Sequence, residues 1–366
     1  MNVTTHERPG VYSVYGASSL VRGSGGRKTV GLAAVNTKAE AGVIQTITSY
    51  EGAVAAFGSQ ADSQDMAVPP FGNAGGQDMA ELIRVILLNG AGAVAAVPIA
   101  ASTDYEAGFA VLEGQENVSV VVCDSTDQEV QQKLRDSVIA SSAARRERIA
   151  VVAGGAEESV TALTNRAKAL NSERVVLVAP GGTDEEGEAV SGLSLAAAVA
   201  GAIAGTTDPA LPLGGAVLSG LYGLETTYGD NDLDLLIRGG VTPAERTGGV
   251  TSVVRGVTTR TTTDGTADTT WRELSTILVV DDVIPGIRSA LRSKFHRAKN
   301  TEQSRGAIRS QVVLELENRK EREIISGYDN VAVSADPDNP TVCQVEFSFS
   351  AAQGLNQIWL TAHITV

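Results

Sequence analysis

The chain has 366 residues, enough for two domains and a large core, and its 43% hydrophobic and 20% charged residues are a globular balance. A formal net charge of −14 argues against nonspecific nucleic-acid binding, because a phosphate-binding surface needs a positive field. The two cysteines, Cys123 and Cys343, lie far apart in strand-like runs without Cys-x-x-Cys spacing and read as buried thiols.

The first strand-like run is Val11-Tyr12-Ser13-Val14-Tyr15, after the stiff Arg8-Pro9-Gly10, and the Gly/Ser/basic stretch 23–28 follows it like a tether. Thr29 to Val35 reads as a buried strand. A short helix follows at Ser49 to Phe57, closed by Gly58. Residues 59–76, with Pro69-Pro70 and several glycines, read as a loop. Asp78 to Leu88 is a helix and Ala93 to Ile99 a strand.

The middle is the most regular part. Strands at 117–123, 148–153 and 174–179 alternate with helices at 127–144, 157–170 and 191–205. Apolar runs that do not alternate, spaced by helices, predict a parallel sheet covered on both faces. Residues 206–250 are irregular, and Val250 to Thr261 reads as a strand leaving this unit.

A second, α+β unit begins near Trp271. It is expected to run strand-like through Val280, then as helices from Pro285 to Lys299 and Glu302 to Leu316, then as strands near 330–334 and 341–350. The final stretch alternates strictly: Ile358, Leu360, Ala362, Ile364 and Val366 share one face, and Trp359, Thr361, His363 and Thr365 the other. A strand at either end of a chain pairs internally or offers its N–H and C=O groups to another chain. Residues 287–322 hold ten Lys/Arg and four Asp/Glu, a balance of +6 against −20 for the remainder. Arg288, Arg292, Lys294, Arg297 and Lys299 share one predicted helix, whose buried stripe is Ile287, Leu291 and Phe295. Such a helix suits either a solvated face or docking on an acidic surface.

Catalytic signatures are missing from the pattern. The three histidines, His6, His296 and His363, follow no strand of the predicted parallel sheet, and no Gly-x-Ser-x-Gly elbow occurs. Asp230-Asn231-Asp232-Leu233-Asp234 lacks the glycine and distal glutamate of a calcium loop and reads as a solvated acidic loop. Gly23 to Thr29 fails as a phosphate loop, since Arg27 precedes the lysine and the segment leads into a strand. No catalytic residue, metal or cofactor is therefore expected. No apolar window is long enough to span a bilayer and no leader is visible, so the chain is expected to fold in a cytoplasm without a membrane partner.

Four stretches, taken together, resemble the contractile tail sheath proteins of bacteriophages and phage-like particles. They are Glu7-Arg8-Pro9-Gly10-Val11-Tyr12; Thr29 to Ala34 with Ile47 to Gly58; Trp271-Arg272-Glu273-Leu274; and Leu355 to Val366. The resemblance implies an arm at 1–25, an outer α/β unit at 26–261 of subtilisin-like shape without catalysis, an inner α+β unit at 262–353, and an arm at 354–366. It further implies that strands Val11 to Tyr15 and Ile358, Trp359, Leu360, Thr361, Ala362, His363 and Ile364 complete neighbours' sheets. Stacked hexameric rings would then form a helical polymer around an inner tube, gripped by the basic helix, and contract from a baseplate. The expected partners are the chain itself, the tube protein, and baseplate and tail terminator proteins, with no nucleic acid. The expected place is a tail or phage-like particle sheath assembled in the bacterial cytoplasm. The competing reading is an α/β hydrolase or nucleotide-binding enzyme, which requires converging catalytic groups at the carboxyl ends of the middle strands.

Overall fold

The computed structural model describes residues 28–58, 78–184 and 187–356. In chain order the elements begin β1 (Thr29–Val35), β2 (Gln45–Ile47), α1 (Tyr50–Phe57), α2 (Met79–Leu88), β3 (Ala93–Ile99), α3 (Tyr105–Glu113), β4 (Val118–Cys123), α4 (Gln128–Ala143), β5 (Ile149–Ala153), α5 (Val160–Leu170) and β6 (Val175–Ala179). The short strands β7 (Gly182–Thr183) and β8 (Ala189–Val190) precede α6 (Leu193–Gly205). Then come β9 (Val217–Leu218), β10 (Gly223–Leu224), α7 (Asp230–Arg238), β11 (Val241–Thr247), β12 (Val250–Val253), β13 (Thr262–Thr263) and β14 (Thr266–Ala267). The last elements are α8 (Leu274–Phe295), α9 (Glu302–Glu321), β15 (Ile325–Ala335) and β16 (Cys343–Ala351).

Among the described residues the main sheet has nine strands in the order β2-β3-β1-β4-β5-β6-β11-β12-β9. The six from β3 to β11 are mutually parallel, and β2, β12 and β9 join antiparallel at the two edges. Continuous burial of Val175 to Ala179 and of Ile149 to Ala153 explains the unbroken apolar runs, since helices cover both faces. One face carries α1, α2 and the Ala-rich α6, which is apolar all round because it is buried all round. The other carries α3, α4, α5 and α7.

Helix starts follow side-chain chemistry. Ser49 accepts from the Gly52 N–H, Asp78 from Ala80, Asp127 from Glu129, and Ser159 from Ala162, so each occupies an orphan amide of a first turn.

A third core lies between α8 from Val279 onward, α9 and the β15–β16 pair, around Val279, Val283, Ile287, Val312 and Leu316. Helix α8 serves two cores at once. Leu274 and Ile277 are buried with the main sheet, and Val279, Val283 and Ile287 with the third cluster.

Four expectations are corrected. Trp271 to Val280 is not strand-like: α8 starts at Leu274, with Leu274 and Ile277 at i,i+3 on one buried face and Val279, Val283 and Ile287 at i,i+4,i+8 on another once the run is read past Asp281-Asp282. Pro285 therefore lies inside a helix that ends at Phe295, not at its start. Asp230–Asp234 is the first half of α7, which buries Leu236 and keeps its acids outward, so it is not a loop. Finally, β12 stops at Val253, and the chain to Thr261 runs on as a single bridge and hydrogen-bonded loop. Helix α3 and strand β11 were not foreseen. Gly108 in mid-helix hides the first, but it lies where a Cβ would sit 2.8 Å from Ile99.

Candidate assembly surfaces

The enzyme reading stands or falls at the carboxyl edge of the parallel sheet, where α/β ligands bind. The strand order reverses between β1 and β4, and there the polar groups are already used within the chain. Asp124, 3% exposed, accepts from the Tyr105 hydroxyl at 2.6 Å and from the Val35 N–H at 3.0 Å. Burial pushes its pKa up to about 6, against the lowering effect of these donors. Asn36 donates to the Phe57 carbonyl and accepts from Lys38 and Ala39. Burial raises the neighbouring Cys123 thiol to about 12, which makes it inert. After β5, Glu158 accepts from the Gly155 N–H at 3.0 Å and pairs with Arg166 at 2.5 Å. After β6, Glu225 accepts from the Gly181 N–H at 2.9 Å and the Glu157 N–H at 2.8 Å. Of the histidines, His296 is exposed just past the end of α8, away from this edge, and His6 and His363 lie outside the described residues. Among the described residues no group of three His, Cys, Asp or Glu lies together to hold a metal, and no helix is long and apolar enough to cross a membrane.

The polar ladder of the second unit is in the opposite condition. Strands β15 and β16, of 11 and 9 residues, pair antiparallel from Ile325↔Ala351 to Ala335↔Cys343. Among the described residues neither strand has a partner on its other side. Val345, Phe347, Phe349 and Ala351 face α8 and α9 but remain only half-buried, and Gln344, Glu346, Ser348 and Ser350 face outward. A two-stranded sheet is marginal by itself, and unpaired edges are templates for another strand. Beside it, an open groove of about 530 Å³ is lined by Trp271, Val280, Ile284, Phe349 and Ala351 with threonines at its rim.

Helix α8 joins the two units by ion pairs of opposite polarity, two turns apart. Arg174, just before β6, forks onto Asp281 at 2.9 and 3.0 Å. Arg288 reaches Glu147, just before β5, at 2.8 Å. Burial nonetheless holds Asp281 above the usual carboxylate range, with Arg174 the main influence pulling it down.

Two family profiles match: the phage tail sheath protein central domain over residues 100–259 and the phage tail sheath C-terminal domain over residues 266–365. The chain belongs to the contractile tail sheath family. A tail sheath protein of Bacillus phage SP01 is 26% identical over 221 residues, 58% of this chain but 37% of that protein, so the match spans little more than a third of the relative's length. The crystal structure of a sheath tail protein from Desulfitobacterium hafniense superposes with a TM-score of 0.68 at 12% identity, covering 93% of this chain and 100% of that one. The contracted helical sheath of the anti-feeding prophage superposes with a TM-score of 0.69 at 17% identity, covering 97% and 98%. At such identities the structural likeness establishes the fold.

The residues singled out for this sheath chain separate into three groups. Val11, Tyr12, Ser13, Val14 and Tyr15, and Ile358 to Ile364, lie outside the described residues. Of the basic set, Arg288 is taken by Glu147, and Lys294 donates to Gln311 at 2.6 Å. Arg292, Arg297 and Lys299 are exposed and have no ion pair among the described residues. The same basic end includes Arg305 and Arg309 on α9. Among the described residues their side chains bond to Asn300 Oδ1 and the Val331 carbonyl; both belong to the basic window 287–322 but lie off the helix that was singled out.

Proposed function

We propose that this sheath chain is a structural, non-catalytic subunit whose terminal segments are donated to neighbours. It polymerises as stacked hexameric rings around an inner tube and contracts to drive the tube through a cell envelope. The observation that carries this is the β15–β16 pair: a long two-stranded sheet with half-buried aromatics and no further partner among the described residues. Residues 1–25 and 354–366 act as the arms, one strand on each open edge, and 26–261 and 262–353 as the outer and inner units. Adding a strand of about five residues contributes roughly four to five backbone hydrogen bonds at about 0.5–1.5 kcal/mol each. Covering Phe347 and Phe349 adds about 25 cal/mol per Å². The exposed cations Arg292, Arg297 and Lys299 face the tube, where single exposed charge pairs are worth about 0–1 kcal/mol. Strong ties between subunits and a weak grip on the core are what a sleeve needs in order to rotate and shorten. Baseplate and terminator proteins cap the polymer, which assembles in the bacterial cytoplasm.

The test is a chain lacking residues 355–366, compared with the full chain by electron microscopy and circular dichroism. Loss of striated cylinders with the outer unit still folded is the expected result. Normal cylinders from the truncated chain would remove strand donation as the tie.

A further inference from the structure

We infer that the carboxyl edge of the outer sheet contains an oxyanion-binding site, and that Glu225 is a ligand the chain supplies to it from within. Two backbone N–H groups, of Gly181 and Glu157, converge on this one carboxylate, each on a different oxygen. They belong to the loops after β6 and β5, which are adjacent parallel strands, so the donors lie side by side where open α/β sheets receive anionic groups. Paired amides of this kind form an anion-binding concavity without needing a lysine or arginine. The nearby Arg166 is already neutralised by Glu158.

The local sequence is shaped to the anion. A Cβ at position 181 would lie 2.6 Å from Glu225 Oε2 and 2.5 Å from the Val190 carbonyl, so glycine is required for the carboxylate to reach its donor. Glu157 is held at φ 54°, a left-handed conformation that is uncommon for a residue with a side chain. A third polar group lies within electrostatic reach of Glu225. The Tyr228 hydroxyl is buried and has no hydrogen-bond partner among the described residues. Burial raises its pKa to about 12, and Glu225, Asp232 and Glu158 lie within electrostatic reach. Phosphate is the simplest oxyanion with which to probe the two amides. In the native chain the tethered Glu225 outcompetes free anions through its high effective concentration. The site thus works as an internal latch joining three loops, and the inference is independent of the sheath reading.

The experiment uses the full chain and Glu225→Ala, melted in phosphate and in chloride at equal ionic strength. Phosphate stabilises proteins generally by exclusion, so the wild-type shift is the baseline. The expected result is that Glu225→Ala melts several degrees below wild type in chloride and recovers more in phosphate than wild type does. Adding Gly181→Ala, which fills the cradle, should reduce that excess recovery. Equal phosphate shifts in wild type and Glu225→Ala would overturn the site. If Glu225→Ala fails to fold in chloride, refolding yield is read instead: rescue by phosphate alone supports the site, and equal yields in both salts overturn it.

Discussion

Arg319 and Asp282 form an ion pair at 2.9 Å in which the two side chains are only 6% and 5% exposed, and it fastens α9 to the middle of α8. The same guanidinium donates to the Asp282 carbonyl at 3.1 Å and to Glu315, and it lies across Gly286, where a Cβ would meet its Nη2. Pro285 has no N–H to give to the Asp281 carbonyl one turn back, so this stretch of α8 lacks one internal hydrogen bond, and the Arg319 contacts brace it at the adjacent Asp282. Removing one partner of a buried pair leaves an uncompensated charge, at about 3–5 kcal/mol. Arg319→Gln should therefore unfold the inner unit first, and urea titration followed by hydrogen exchange on α8 and α9 would show it. A variant within about 0.5 kcal/mol of wild type would mean that the pair contributes little.

The Arg174–Asp281 pair couples the units and carries its own pH signature. Asp281 is already raised by burial, and Arg174 is its chief counterweight. In Arg174→Gln the carboxyl rises further. A raised group stabilises the fold below its unfolded pKa and loses that contribution as pH rises through the folded one. The deficit of Arg174→Gln should thus be largest at alkaline pH and shrink on acidification. Asp281→Asn should be flat across the same range. Parallel profiles for the two variants in thermal melts would rule out a charged Asp281 as the cause.

Much of this architecture was legible before the structure, for a physical reason. Strands such as Val118–Cys123 and Val175–Ala179 are buried on both faces, so their apolar runs need no context. Helix starts such as Ser49 and Asp78 depend on contacts within three residues and are equally local, although the capping role of Asp78 is seen only in the structure. The run from Trp271 to Val280 was misread because a short apolar stretch fits a strand as well as a helix, and only contact with two cores decides it. The basic helix was visible as composition. That Glu147 and Gln311 take two of its cations is a tertiary fact, as is Glu225 reaching amides 44 and 68 residues away.

Asp124 gives the outer unit a pH dependence of its own. With its pKa raised to about 6 from an unfolded value of about 4, its contribution is full below that lower value and is lost as pH rises through 6. A shift of this size corresponds to something on the order of 3 kcal/mol. The denaturation midpoint should therefore fall between about pH 4 and pH 6 and level off above that, and Asp124→Asn should flatten that slope. An unchanged slope in the variant would assign the dependence to other groups.

The exposed cations separate folding from docking. Arg292, Arg297 and Lys299 have no ion pair among the described residues, so reversing all three to glutamate should leave the melting temperature nearly unchanged. Arg288→Glu, by contrast, sets a second carboxylate against Glu147 and should destabilise the seam. If the free cations grip an acidic tube, many weak contacts add along the polymer, each screened over a Debye length of about 10 Å at 0.1 M salt. Wild-type co-assembly with the tube should weaken as salt rises, and the triple variant should assemble poorly at every salt concentration while still forming sheath alone. A triple variant that co-assembled like wild type at low salt would leave Arg305 and Arg309 on α9 as the next residues to reverse, and would remove the α8 end from the grip.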